Sequence, residues 1–286
     1  MQTKLSVVWI IIFVVSAWGQ HQNVRPPALL VAAPSGSTSI PHAAYVDRLL
    51  AEGREIVPYA DQTSLNSNDI GMLVARYREI PSVTNKWGIT AALAYRGDNR
   101  VVDLFWNTLT QECAGRRFSD SVQETSEAIQ LATLMSFLGY QATRSERALD
   151  LLKNGVQPSF WQTNVTWSVH GQPASYYVVG ASIKGLAWSG RDDAWQVVLD
   201  LKTNADAVYL KQYSGAMVDA AFYHYRLVNG KVGHSTNKDP LADLVAWEEN
   251  TPDGRAWQQW HDKIIEVDDN MMWHAPKNSP VPPGTK

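Results

Sequence analysis

The sequence predicts an all-α protein, a right-handed α-solenoid of antiparallel helix pairs, with one irregular insertion that has β-character. Three observations predict this class. Apolar residues recur at spacings of three and four through most of the chain, which indicates amphipathic helices. A helix–corner–helix pattern recurs roughly every 40 to 50 residues, a period typical of helical repeats. One segment, residues 155–177, instead alternates apolar and polar residues, as a strand does.

The N-terminal segment, residues 1–19, is predicted to be a signal peptide. Lys4 gives it a positive start, and the apolar run over residues 5–18 is shorter than the roughly 18 residues of a membrane span. Residues 17–19, Ala-Trp-Gly, offer small residues at the cleavage positions. We therefore expect an exported protein, periplasmic or secreted, with no integral membrane span after cleavage. An uncleaved anchor is the alternative.

Two flanking segments have the composition of unstructured chain. Residues 20–41 are rich in Pro and Ser and are predicted to be an extended linker. Residues 274–286 contain Pro-Val-Pro-Pro and no apolar period, and are predicted to be a disordered tail. The helical repeat domain is thus expected over residues 42–273.

Two amphipathic helices are predicted at the start of this domain. Residues 43–56 and residues 69–80 each place their apolar residues on one face. Pro81 is expected to end the second helix, because its ring disfavours the α conformation in the preceding residue.

Four copies of the helix–corner–helix pattern follow. In each copy a glycine is expected between the paired helices, and an aspartate recurs in the second helix, where it is expected to hydrogen-bond the backbone of the neighbouring unit. The corner glycines are Gly97, Gly139, Gly190 and Gly230, and the aspartates are Asp103, Asp150, Asp200 and Asp243.

The first corner, Arg96-Gly97-Asp98, also spells an adhesion tripeptide. The helix-corner interpretation is favoured because Gly tolerates the positive φ of a helix end and because Asp98 or Asn99 can cap the next helix. Short tripeptides of this kind also arise often by chance.

The four copies, from about Thr84 to Trp247, resemble HEAT or HEAT-like repeats of the armadillo type. The resemblance lies in the pattern rather than in invariant residues, and the loops are unequal in length. It implies an α-solenoid whose concave face binds a protein or peptide. An irregular helical bundle is the alternative architecture.

Composition and motifs argue against several functions. With 25 basic and 28 acidic residues and no basic block, nucleic-acid binding has no electrostatic support. Hydrolase, metalloprotease and nucleotide-binding signatures are missing from the sequence. The histidines lack helical ligand spacing, so no metal or organic cofactor is expected. The single cysteine, Cys113, is expected to be an inert, half-buried thiol.

The insertion over residues 155–177 is the candidate binding site. Val165, Trp167 and Val169 alternate with polar residues, which predicts a short strand that projects from the solenoid. Trp161 and Trp167 are expected to be partly exposed and to contact a partner together with His170, at the turn. The alternative is that these aromatic rings fill the core beneath the loop.

Taken together, these features predict an exported, non-catalytic scaffold that binds a protein or peptide. An alternative is a helical-toroid enzyme or binding protein that acts on polysaccharide, with the Trp-rich loop as a sugar platform. A structural module of the cell envelope, tethered through its Pro-rich ends, is a third hypothesis.

Overall fold

The computed structural model describes residues 42–53, 65–96, 98–229 and 240–273. The predicted signal peptide, linker and tail (1–19, 20–41 and 274–286) lie outside these residues, as do the corner glycines Gly97 and Gly230. Within the described ranges, no helix combines the length and the apolar character that crossing a membrane requires.

Helices make up most of the described chain, which confirms the predicted helical class. In chain order they are α1 (His42–Glu52), α2 (Ser67–Glu79), α3 (Trp87–Arg96), α4 (Asn99–Asn107), α5 (Val122–Ala142), α6 (Glu146–Gly155), α7 (Pro158–Asn164), α8 (Ser175–Trp188), α9 (Asp192–Asn204), α10 (Ala207–Val228), α11 (Pro240–Asn250) and α12 (Pro252–Trp273). A 3₁₀ turn (Thr84–Lys86) precedes α3, and a π-helical turn (Thr108–Glu112) follows α4. Three strands, β1 (Arg117–Phe118), β2 (Ser168–Val169) and β3 (Gln172–Pro173), form a small sheet.

Local sequence signals set several of the helix ends. Helix α2 starts with a capping box in which the Asn66 side chain accepts hydrogen bonds from the next turn and Asp69 bonds back to Asn66. It ends where Ile80 turns extended before Pro81, as predicted. Asp98 caps α4 by accepting a hydrogen bond from the Arg100 backbone, which confirms the predicted capping role of Asp98.

The helices pack chiefly on helices that are near them in the chain. Helix α5 packs on α3 and α4, α8 on α5 and α6, α10 on α8 and α9, and α12 on α10 and α11. Helices α1 and α2 continue this order on the N-terminal side of α3. One connected hydrophobic core runs through these interfaces, from Val46 to Trp257.

The corner glycines have two different roles. Gly190 lies between α8 and α9 with a φ of +64°, so its prediction is confirmed. The prediction for Gly139 is wrong, because this residue lies inside α5. There it faces the backbone of Gly185 in α8, and a Cβ on Gly139 would overlap the carbonyl of Gly185. The glycine thus allows two helices to approach closely instead of turning the chain.

Side chains from one helix pair cap the backbone of the pair before it. The Gln141 amide donates to the carbonyls of Leu93 and Ala94, and Arg144 donates to Tyr95 O at 3.3 Å. These carbonyls end α3 and have no partner within their own helix. Arg191 donates in the same way to Ala142 O, at the end of α5, at 3.4 Å.

The aspartate of the first copy does not make the backbone bond expected of it. Asp103 forms an ion pair with the Arg147 side chain at 2.6 Å, and so it still connects α4 to α6. Asp200 of the third copy accepts a hydrogen bond from Gln196 within its own helix. The expectation is therefore wrong for these two aspartates, and the backbone bonds between units described above come from the glutamine and the arginines instead.

The insertion contains α7, β2 and β3, so the predicted β-structure is present. Strand β2 pairs in parallel with β1 and antiparallel with β3. The expectation that the insertion projects is wrong, because Val165, Trp167 and Val169 are all buried. The pairing with β1 holds the segment against the core.

Candidate functional site

The two tryptophans expected to contact a partner lie in the protein interior. Trp161 has no exposed surface, and its indole N–H donates to Gly155 O at 2.6 Å. Trp167 is 1% exposed and packs edge-on against Phe118 of β1. Partial exposure was therefore the wrong expectation, and the alternative of core filling is correct for both rings. The apolar surface of both rings is buried because α7 folds back onto the core.

His170 does lie at the surface, at the tip of the β2–β3 hairpin. His170 and Gly171 have φ values of 51° and 71°, the positive values that a tight two-residue hairpin turn requires. The His170 ring joins two groups near the start of α5. Its Nδ1 lies 2.9 Å from Asp120 Oδ1, and its Nε2 lies 3.0 Å from Thr125 Oγ1.

A hydroxyl, an imidazole and a carboxylate in this order resemble a hydrolase relay. The Asp120 side chain is 82% exposed, however, and water screens its interaction with His170. The geometry fits a simpler purpose, which is to anchor the hairpin to α5. Sequence reasoning placed His170 at a turn but missed Asp120 and Thr125, since about 50 residues separate them from it.

A buried polar cluster surrounds Lys86, just before α3. Lys86 is 1% exposed, and its Nζ lies 3.4 Å from Glu112 Oε2 and 3.9 Å from the centre of the Tyr77 ring. Burial lowers the pKa of Lys86, against the opposing effect of Glu112. Burial likewise raises the pKa of the Tyr77 hydroxyl.

The π-helical turn after α4 positions the acidic partner of this cluster. Thr108 donates to Leu104 O at 2.9 Å and lies 3.3 Å from Glu112 Oε1. The next residue, Cys113, is buried, and burial raises the pKa of its thiol, as expected of an inert cysteine. Although π-helical turns often mark functional sites, Lys86 is closed to solvent. The cluster therefore fits a structural role, the tethering of this turn to α3.

A second cluster, which we call the indole corner, consists of Trp257, Trp260 and Lys202. The two indoles lie on successive turns of α12, with centroids 5.3 Å apart and planes at 80°. Lys202 of α9 places its Nζ 4.1 Å from the Trp257 ring centre and 5.4 Å from that of Trp260. Trp257 is buried, whereas Trp260 and Lys202 are half-buried. This corner can therefore be reached from solvent.

Two further titratable groups lie on α10 and α11, which both pack against α12. His224 stacks on Trp195 with ring centroids 4.0 Å apart, and burial lowers the pKa of its imidazole, so it acts as a packing histidine. On α11, burial raises the pKa of the Glu248 carboxyl, and the nearby carboxylates of Asp219 and Asp262 add to the effect.

Sequence reasoning did not find the indole corner. Trp257 and Lys202 lie on different helices, and no spacing along the chain signals their contact. Over the described ranges, no group of three or more His, Cys, Asp or Glu residues is arranged to hold a metal ion.

Comparison with known proteins gives no match, whether to a family model, to a curated protein or to a solved structure.

Proposed function

We propose that this chain is an exported, non-catalytic scaffold, a HEAT-like α-solenoid that binds a protein or peptide partner. One observation carries the proposal: the helices pack mainly on helices that are near them in the chain. In a solenoid, stability comes from such nearest-neighbour interfaces.

The contacts between units support the same architecture. Gln141, Arg144 and Arg191 cap carbonyls of the preceding pair, and Asp103 meets Arg147 of the following pair. Such stacking leaves one row of helices along each side of the array, which presents an extended surface to a partner. The step from this architecture to binding is an analogy at the level of the fold.

The test is capture of a partner by the full-length chain in the exporting compartment, followed by reconstitution with the purified partner. Cross-links between the two chains, read by mass spectrometry, map the surface. We expect a saturable complex whose cross-links lie on at least two adjacent helix pairs. Cross-links restricted to the N- or C-terminal flank, or a captured partner that does not bind when purified, would argue against a scaffold.

Activity on polysaccharide is the second candidate. One observation favours it: the raised pKa of Glu248 is the property that a general acid of a glycosidase needs. The assay is release of reducing ends from a panel of polysaccharides by wild type and by Glu248→Gln. Activity that the substitution abolishes would replace the scaffold proposal, and absence of activity across the panel would remove this candidate.

A further inference from the structure

Lys202 differs from three other lysines that are wholly or partly buried. Lys86, Lys153 and Lys184 each lie within 3.4 Å of a carboxylate oxygen, on Glu112, Asp193 and Asp219 respectively. Among the described residues, Lys202 makes no ion pair, and its ammonium lies over the two indole rings instead. Burial lowers its pKa, and no charged neighbour in the described part of the chain offsets that effect.

Among the described residues, the indole corner is therefore a site with a cation and no counterion. The π-faces of Trp257 and Trp260 compensate the ammonium in part, but a partly desolvated ammonium still gains from a carboxylate that comes within hydrogen-bond distance. Trp260 is half-buried, so part of its apolar indole is accessible to solvent next to that ammonium. A fitting ligand has an anionic group next to a ring with an apolar face.

We propose that the indole corner binds an acidic saccharide, with the carboxylate of a uronate residue on Lys202 and the C–H face of its pyranose ring on Trp260. A uronate unit combines both features in one ring, which a simple anion or a neutral sugar does not. Lys202 already lies at the site and makes no ion pair with a described residue that a uronate would have to displace. The inference does not depend on peptide binding, and either can fail without the other.

The probe is an oligogalacturonate, and its matched control is the fully methyl-esterified oligomer, which keeps the ring and loses the charge. Isothermal titration of the full chain measures both. We expect binding of the acid and a Kd for the ester about tenfold higher or more, the loss expected for one charge-assisted contact. Lys202→Met, which keeps the aliphatic stem, should weaken binding of the acid by a similar factor and leave the ester unchanged.

The exposed Lys263, on α12, supplies the control variant. Lys263→Met should leave the Kd unchanged, whereas Trp260→Ala should weaken binding of acid and ester alike. If Trp260→Ala unfolds, the Lys202→Met and ester comparisons decide alone. Equal binding of acid and ester, no effect of Lys202→Met, or no binding of the acid would overturn the proposal. Tighter binding of a carboxylate-terminated peptide than of the uronate would overturn it too.

Discussion

At the scale of single residues, Trp161 and Trp167 show that tryptophans in a loop-like segment can belong to the core. The Trp-rich segment has the composition of a binding loop, yet Trp161 donates its N–H to Gly155 and is fully covered. Sequence can identify a large amphipathic side chain but not the surface that covers it. Here the cover comes partly from Trp106 of α4, which is distant in the chain.

We expect Trp161→Ala to lower the free energy of unfolding by about 3–5 kcal/mol, because it removes a fully buried aromatic ring. The half-buried Trp260 provides the comparison, and Trp260→Ala should cost clearly less. Denaturant titration of the full chain measures both. An unchanged midpoint for Trp161→Ala would show that this ring lies at the surface after all.

Lys86 and Glu112 allow a paired prediction. Glu112→Gln leaves a buried ammonium without its carboxylate and should destabilise the fold by roughly 1–3 kcal/mol. Lys86→Met removes the buried charge with its desolvation cost and leaves Glu112, whose side chain is 41% exposed, so it should cost less stability than Glu112→Gln. Thermal and chemical unfolding distinguish the two. Strong destabilisation by Lys86→Met would show that the ammonium is needed, and not merely tolerated.

At the scale of elements, local sequence signals were sufficient to predict helix ends where they act within one turn of the chain. Pro81 ended α2 and Asp98 started α4 as predicted, because capping and proline geometry depend on adjacent residues. Gly139 shows where such reasoning fails. Its sequence context is like that of a corner, but its role depends on α8, about 45 residues later. Ser145 caps the following helix instead.

We expect Gly139→Ala to destabilise the chain by about 1–3 kcal/mol, because its methyl group would overlap the Gly185 carbonyl. Gly215 is the matched control, since it lies within α10 and a Cβ there meets nothing within 4 Å. Gly215→Ala should be stabilising by up to about 1 kcal/mol. Equal effects of the two substitutions on the unfolding midpoint would contradict the close approach of α5 and α8.

At the scale of the whole molecule, the periodic pattern predicted the helical class, because that class follows from which faces are apolar. It did not predict the clusters around Lys86 and Lys202. Each cluster joins residues from separate helices, and only the packing of those helices brings them together. His170 was placed correctly at a turn, whereas its contacts with Asp120 and Thr125 came from the fold.

The central claim, that the helix pairs stack in order, has a direct test. Spin labels at Asn99→Cys in α4 and Glu249→Cys in α11, both exposed positions, report the separation of the first and fourth pairs by pulsed electron resonance. Cys113→Ala removes the native thiol. With neighbouring helices about 8–10 Å apart, three steps of stacking predict a separation of roughly 25–30 Å or more. A dominant distance under about 15 Å would place the two pairs side by side, as in an irregular bundle, and would contradict the solenoid.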